Sequence, residues 1–164
     1  MKALYPGSFD PITYGHLDIL ERATHLFDEV FITVAINTRK ESVFSPNERV
    51  QIIRDTIKDK PWSQKVSIGS FSGLLVEHAK KLDVQTLIRG VRQLSDFEYE
   101  FRMALMNRRL APTVDTVFLM PREELTFVSA TLVREVAYWG GDLTQFVPPN
   151  VVELLKQKYE KTDP

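Results

Sequence analysis

The stretch Tyr5-Pro6-Gly7-Ser8-Phe9-Asp10-Pro11-Ile12-Thr13-Tyr14-Gly15-His16 brings small residues, turn formers and one imidazole together within a few residues. Gly7 and Gly15 remove side-chain bulk, and the free N–H groups of a helix starting near Gly15 favour a negative ligand. From the first turn of that helix, His16 could donate hydrogen bonds to phosphate oxygens. If protonated, it could offset the charge that develops during phosphoryl or nucleotidyl transfer. The plainer alternative is a solvated histidine beside two turn-forming pairs, Pro6-Gly7 and Asp10-Pro11. Asp10 fits a brace for the turn better than a base.

Further along the chain, Arg89 and Arg92 flank Gly90, where planar guanidinium groups can hold phosphate through two bonds and the backbone can come close. Surface pairing with Asp96 or Glu98 is the competing use. Glu100 lies at helical spacing from Asp96, so both could meet ligand hydroxyls or a bound cation from one side of the helix, or remain solvated helix charges. Thr38-Arg39-Lys40-Glu41 offers two cations, and spacing alone leaves Arg39 and Lys40 both open as phosphate ligands or loop charges. Ser129 and Thr131 could cap a helix or bond phosphate oxygens. His25 and His78 have no second His or Cys at metal-ligand spacing and read as structural or solvated.

These groups need a scaffold. Lys2 to Tyr5 and Val30 to Ile36 are apolar runs that suit strands buried on both faces, with Leu17, Leu20, Ala23, Thr24 and Phe27 at helical spacing between them. That is a strand, helix, strand unit, expected to cross over right-handed. Ser45-Pro46-Asn47-Glu48 reads as a capping box that opens a helix through Ile57, stopped by Pro61. Val66 to Ile68 is a weaker strand, Ser72 a cap for a helix carrying Leu75, Ala79 and Leu82, and Val84 to Ile88 a strand. Ser95-Asp96-Phe97-Glu98 reads as a second capping box before a helix to about Leu110. Thr116 to Met120 is a fifth strand, Ser129 opens a helix ended by Gly140-Gly141, and Asn150 caps a last helix to about Tyr159. The alternation implies an α/β fold: a Rossmann-like, doubly wound, mostly parallel five-stranded sheet flanked by helices, with ligands at the carboxyl ends of the strands.

At 164 residues and 43% hydrophobic content, the chain fits one domain over 1–164, with C-terminal helices at about 129–160 packed on it. The 21 Lys plus Arg nearly balance 22 Asp plus Glu, which argues against nucleic acid as a partner. The absence of Cys excludes disulfides, thiolate metal sites and cysteine nucleophiles, and three scattered His do not make a metal cage. No signal-like segment or membrane span is read, so the expected location is cytoplasmic.

The 7–16 segment closely resembles the T/H-x-G-H signature of the nucleotidylyltransferase superfamily, in the form found in phosphopantetheine adenylyltransferases of bacterial type. Thr13 in place of an opening His favours that branch. Leu87-Ile88-Arg89-Gly90-Val91-Arg92, Asp96-Phe97-Glu98-Tyr99-Glu100, Asn107-Arg108 and Phe118-Leu119-Met120-Pro121 resemble family blocks in family order. Leu125-Thr126-Phe127-Val128-Ser129-Ala130-Thr131 is similar to the family's second nucleotide segment, but Ala130 stands where that segment carries a middle Ser.

The resemblance implies transfer of AMP from ATP to 4'-phosphopantetheine, giving dephospho-coenzyme A and pyrophosphate. It assigns catalysis to His16 as a transition-state stabiliser, with Lys40 and Arg92. It assigns ATP binding to Ser8, Phe9, His16, Gly90, Val91, Arg92, Glu100 and the run Leu125 to Thr131. Substrate binding falls to Ser8, Lys40, Leu75 and Arg89, with Leu74 the alternative pocket wall. It further implies Mg²⁺ carried with ATP rather than by protein ligands, a homohexamer and feedback binding of coenzyme A. Two other readings stay open: transfer to nicotinamide mononucleotide or glycerol phosphate, and a nucleotide-binding module without turnover.

Overall fold

The computed structural model describes residues 1–160. Five strands are present: β1 (Lys2–Gly7), β2 (Glu29–Ala35), β3 (Val66–Phe71), β4 (Thr86–Gly90) and β5 (Asp115–Leu119). Six α-helices alternate with them: α1 (Tyr14–Leu26), α2 (Pro46–Ile57), α3 (Leu75–Lys81), α4 (Leu94–Leu110), α5 (Ala130–Tyr138) and α6 (Pro149–Glu160). The sheet order is β3-β2-β1-β4-β5 and every pairing is parallel. Parallel strands need crossover connections and lie covered on both faces, hence the uninterrupted apolar runs of β1 and β2.

The period of two along each strand divides the core. Ala3, Tyr5, Val30, Ile32, Val34 and Ile88 belong to the cluster that also takes residues of α1, α2 and α6. Leu4 and Leu87 point the other way, into a smaller cluster with Val76 and Ala79 of α3 and Val114 before β5. The expectation of one domain over 1–164 includes four residues outside those described.

Several expected boundaries shift. The third strand runs to Phe71 rather than Ile68, because β2 pairs with it through Ala35↔Phe71 and so recruits Gly69 and Ser70, which have little strand preference of their own. Ser72 is no cap: α3 starts at Leu75 behind Leu74, after Gly73 at φ 94°. Ser95 lies inside α4, whose N-cap is Gln93, and Asp96 turns back to Arg92 instead of to the helix N–H groups. Asn150 likewise lies inside α6, where its Nδ2 donates to Thr56 Oγ1 at 2.9 Å and ties α6 to α2. The Ser45 box is present in both directions, Glu48 N to Ser45 Oγ and Ser45 N to Glu48 Oε2. Ser129 caps α5 by accepting from Leu132 N.

Candidate active site

A cleft of about 510 Å³ opens at the carboxyl ends of β1, β2 and β4. The strand order leaves β1 in opposite directions on its two sides, toward β2 and toward β4, and this divergence creates a crevice there. The β1–α1 turn forms its floor. Phe9 holds a left-handed conformation (φ 45°), which costs a bulky residue on the order of 1–3 kcal/mol and persists only where the surroundings impose it. Its ring is buried edge-on between Tyr5 and His16, with centroids 5.3 and 5.1 Å away. Glycine at position 7 is required by that ring, since a Cβ there would lie 2.8 Å from Phe9 Cζ. Asp10 braces more than its own turn: its buried carboxylate accepts from Val43 N at 2.9 Å and Phe44 N at 3.0 Å.

His16 is the third residue of α1, and Thr13 is its N-cap. The Thr13 backbone N–H donates to His16 Nδ1 at 3.0 Å, while His16 N donates to Thr13 Oγ1 at 3.3 Å. A main-chain N–H can only donate, so Nδ1 is the unprotonated nitrogen and Nε2 carries the hydrogen. Burial first, then the positive fields of Arg92 and Arg89, hold the imidazole pKa down to about 4. Of the two roles open from sequence, the geometry therefore favours a neutral Nε2–H donor. Between pH 4 and the ordinary value of 6.5 the unfolded chain binds the extra proton and the folded chain does not. The stability contributed by this group is thus complete above pH 6.5 and is lost as the pH falls toward 4. We expect a titration of His16 by NMR in the free protein to show no inflection near 6.5 and one close to 4.

Arg89, at the end of β4, is held on three sides. Its Nε and Nη2 donate to the two carboxylate oxygens of Glu100 at 2.7 and 2.6 Å, and its Nη1 donates to the Pro6 carbonyl at 3.0 Å. Burial works against its charge, but the Glu100 bonds more than restore it and raise its pKa. Glu100, the buried residue of α4, thus accepts one bond on each oxygen from Arg89 and keeps a further lone pair on each. Arg92 pairs with Asp96 at 3.1 Å and donates from Nη1 to the Val128 carbonyl at 3.0 Å, joining the β4 and β5 loops. Lys40 lines the cleft and Arg39 does not.

Ser8, Phe9, His16, Arg89, Gly90, Arg92 and Glu100 line the same cleft, as do Ser129, Ala130 and Thr131 at the start of α5 and Val128 before it. Val91, Leu125, Thr126 and Phe127 do not line it. Val91 N donates to the Leu119 carbonyl, Thr126 Oγ1 to the Glu123 carbonyl, and Phe127 packs edge-on against Phe146. The Leu125 carbonyl faces α1, 3.7 Å from where a Cβ on Gly15 would sit. Leu75 lines a neighbouring cavity of about 100 Å³ with Arg89, Tyr99, Met103 and Asn107, while Leu74 is exposed. His78 stacks on Phe71, 4.5 Å between centroids, and His25 is exposed on α1.

Two cleft arginines were missed in the sequence. Arg49 of α2 donates from Nη1 to the Ser8 carbonyl at 2.8 Å, and Arg134 of α5 donates to the Asp10 carbonyl at 2.6 Å. Arg134 was legible as the cleft-facing position one turn beyond Ser129 and Ala130, but Arg49 carried no local signal inside an amphipathic helix. Together with Lys40, Arg89 and Arg92 they place five cations around one cleft, suited to holding more than one phosphate group and to stabilising negative charge as it spreads.

A family model described as cytidylyltransferase-like matches residues 4–136. A protein of Caldanaerobacter subterraneus subsp. tengcongensis named phosphopantetheine adenylyltransferase is 47% identical over 160 residues, 98% of either chain. A protein of the same name from Dictyoglomus turgidum is 48% identical over 160 residues, again 98% of each. Among solved structures, a putative nicotinate-nucleotide adenylyltransferase from Vibrio parahaemolyticus superposes with TM-score 0.74 at 20% identity, over 98% of this chain and 96% of that one. A Plasmodium falciparum nicotinic acid mononucleotide adenylyltransferase complexed with NaAD gives TM-score 0.72 at 15% identity, over 95% and 94%. At these identities the structural likeness bears on the fold alone.

Proposed function

The chain belongs to the phosphopantetheine adenylyltransferases, within the cytidylyltransferase-like family, and from that membership we infer that its cleft transfers AMP from ATP to 4'-phosphopantetheine by direct in-line attack. The reaction yields dephospho-coenzyme A and pyrophosphate, a step of coenzyme A biosynthesis. The observation that carries the in-line reading is the convergence of His16 Nε2–H with Lys40 and four arginines on one crevice that holds no activated nucleophile. A substrate phosphate is already an anion and needs no general base. Catalysis then comes from positioning two polyanions and stabilising the pentavalent phosphorus.

In this reading His16 donates from Nε2 to an α-phosphate oxygen and Arg92, Lys40 and Arg134 meet the remaining phosphate charge. Ser8 and Phe9 supply backbone contacts, and the start of α5, Ser129 to Thr131, offers its N–H groups despite the missing hydroxyl at Ala130. Val91, Leu125, Thr126 and Phe127, which the resemblance also assigns to ATP, adjoin the cleft residues Arg92 and Val128 in sequence and would meet the nucleotide at the margin of the cleft. The small cavity lined by Leu75, Arg89, Met103 and Asn107 suits the pantetheine arm, with Arg89 between the two spaces.

Mg²⁺, carried with ATP as the resemblance implies, would neutralise triphosphate charge. Three of the four cleft carboxylates suit that arrangement, since Glu100, Asp96 and Asp10 are engaged by Arg89, Arg92 and the Val43 and Phe44 N–H groups, while Glu41 lies at the cleft without such a partner among the described residues.

Helix α4 exposes Leu94, Phe97, Tyr99, Phe101, Leu105 and Met106, apolar residues around much of its circumference, which supports assembly of copies and the family-type homohexamer. No helix among the described residues is long and apolar enough to cross a membrane. A cytoplasmic location, one domain over the whole chain, feedback by coenzyme A and no nucleic-acid partner complete the reading. Direct transfer is tested by mass spectrometry of the enzyme incubated with Mg-ATP alone. The intact mass is expected unchanged, and an added adenylyl group would sink the in-line reading.

A further inference from the structure

Three arginines from three different elements each donate to a main-chain carbonyl of the stretch from Tyr5 to His16: Arg89 to Pro6, Arg49 to Ser8 and Arg134 to Asp10. Of the three, Arg49 lies on α2, outside every segment that the family resemblance assigns. It is 5% exposed, has no carboxylate partner among the described residues, and its Nε has no acceptor. A guanidinium buried on such terms is costly, and its bond among the described residues is to the Ser8 carbonyl at 2.8 Å.

We infer that Arg49 is a positioning residue that holds the left-handed turn at Phe9 so that the Phe9 N–H is presented to the nucleotide phosphates. A peptide unit is planar and trans, so its carbonyl and the following N–H point in opposite directions. Anchoring the Ser8 carbonyl on Arg49 therefore fixes the direction of the Phe9 N–H. That N–H has no acceptor among the described residues, although Phe9 lines the cleft. Phe9 is at φ 45°, a conformation its own side chain disfavours, and it is clamped on either side by Arg49 at Ser8 and Arg134 at Asp10. Consecutive amide groups in such a turn form an anion-binding concavity, and its quality depends on the peptide not rotating.

This rests on the reading of the cleft as an ATP site, and the test separates the two. ATP affinity is measured by titration calorimetry with Mg-ATP, beside steady-state kinetics and thermal unfolding, for wild type, Arg49→Met and Arg49→Lys. Loss of a bond from a charged donor is expected to raise the ATP Kd and KM about tenfold in Arg49→Met, or ~1.4 kcal/mol. Arg49→Lys, which keeps a donor within reach of Ser8, is expected to recover most of that affinity. A merely structural arginine would lower the melting temperature and leave ATP affinity as in wild type. Unchanged affinity in a folded Arg49→Met overturns the inference, and if that variant does not fold, a Lys variant with both wild-type melting and a tenfold loss of affinity does so instead. Wild type that binds Mg-ATP but does not turn over 4'-phosphopantetheine would overturn the functional reading and leave Arg49 decided by the Kd values.

Discussion

His16→Ala is expected to lower kcat by roughly 10²–10³-fold while changing KM for ATP by less than about threefold. The direction follows from where charge appears. In the ground state the α-phosphate already carries a negative charge that the surrounding cations share, whereas the pentavalent transition state gathers more charge on the oxygens facing His16 Nε2. A donor fixed in place before the reaction acts mainly on that added charge. Fixing is what Thr13 does, since its N–H occupies Nδ1 and its hydroxyl caps the same helix. His16→Gln, which can place an N–H near the Nε2 position but loses the Thr13 anchor, is expected to fall between wild type and alanine. Steady-state kinetics over both substrates decides this, and a parallel rise in KM with unchanged kcat would mean that His16 merely binds ATP.

The second large effect is on stability. Glu100→Ala is expected to destabilise the fold by about 3 kcal/mol, because it strands the Arg89 guanidinium in a site that is mostly shielded from water. For a chain of this length that amounts to a fall in melting temperature of roughly 6–12 °C. The double variant Arg89→Met with Glu100→Leu replaces the pair by apolar groups of similar volume and is expected to regain most of that stability without regaining turnover. Calorimetric or circular dichroism melts check the first part and product formation the second. If Glu100→Ala melts like wild type, the pair contributes nothing measurable to the fold. If the double variant is both stable and active, Arg89 has no part in the reaction.

Much of this architecture was legible in the residues. Val30 to Ile36 read as a strand buried on both faces and all of it but Ile36 lies in β2, and Ser45-Pro46-Asn47-Glu48 announced α2 through its capping chemistry. The signature segment was legible as a strand-to-helix turn through its glycines and the helix start, and it forms the floor of the cleft. What local pattern could not supply was partnership across the fold. The local Arg92–Asp96 pair, by contrast, was among the alternatives that spacing left open, and the structure forms it. Glu100 was read as a ligand contact or a solvated helix charge, and neither reading foresaw the two bonds from Arg89. Phe71 joined a strand only because β2 extends beside it. Arg49 was invisible for the same reason: its guanidinium bond spans from residue 49 to residue 8, and no spacing rule reports it.

The central claim, adenylyl transfer to 4'-phosphopantetheine, is tested most directly by incubating the enzyme with Mg-ATP and 4'-phosphopantetheine and following pyrophosphate release together with the mass of the nucleotide product. Pyrophosphate and dephospho-coenzyme A are expected in equal amounts, only when both substrates are present, and at a rate that His16→Ala nearly abolishes. Tight ATP binding with no dephospho-coenzyme A, or product formed instead from nicotinamide mononucleotide or glycerol phosphate, would contradict it.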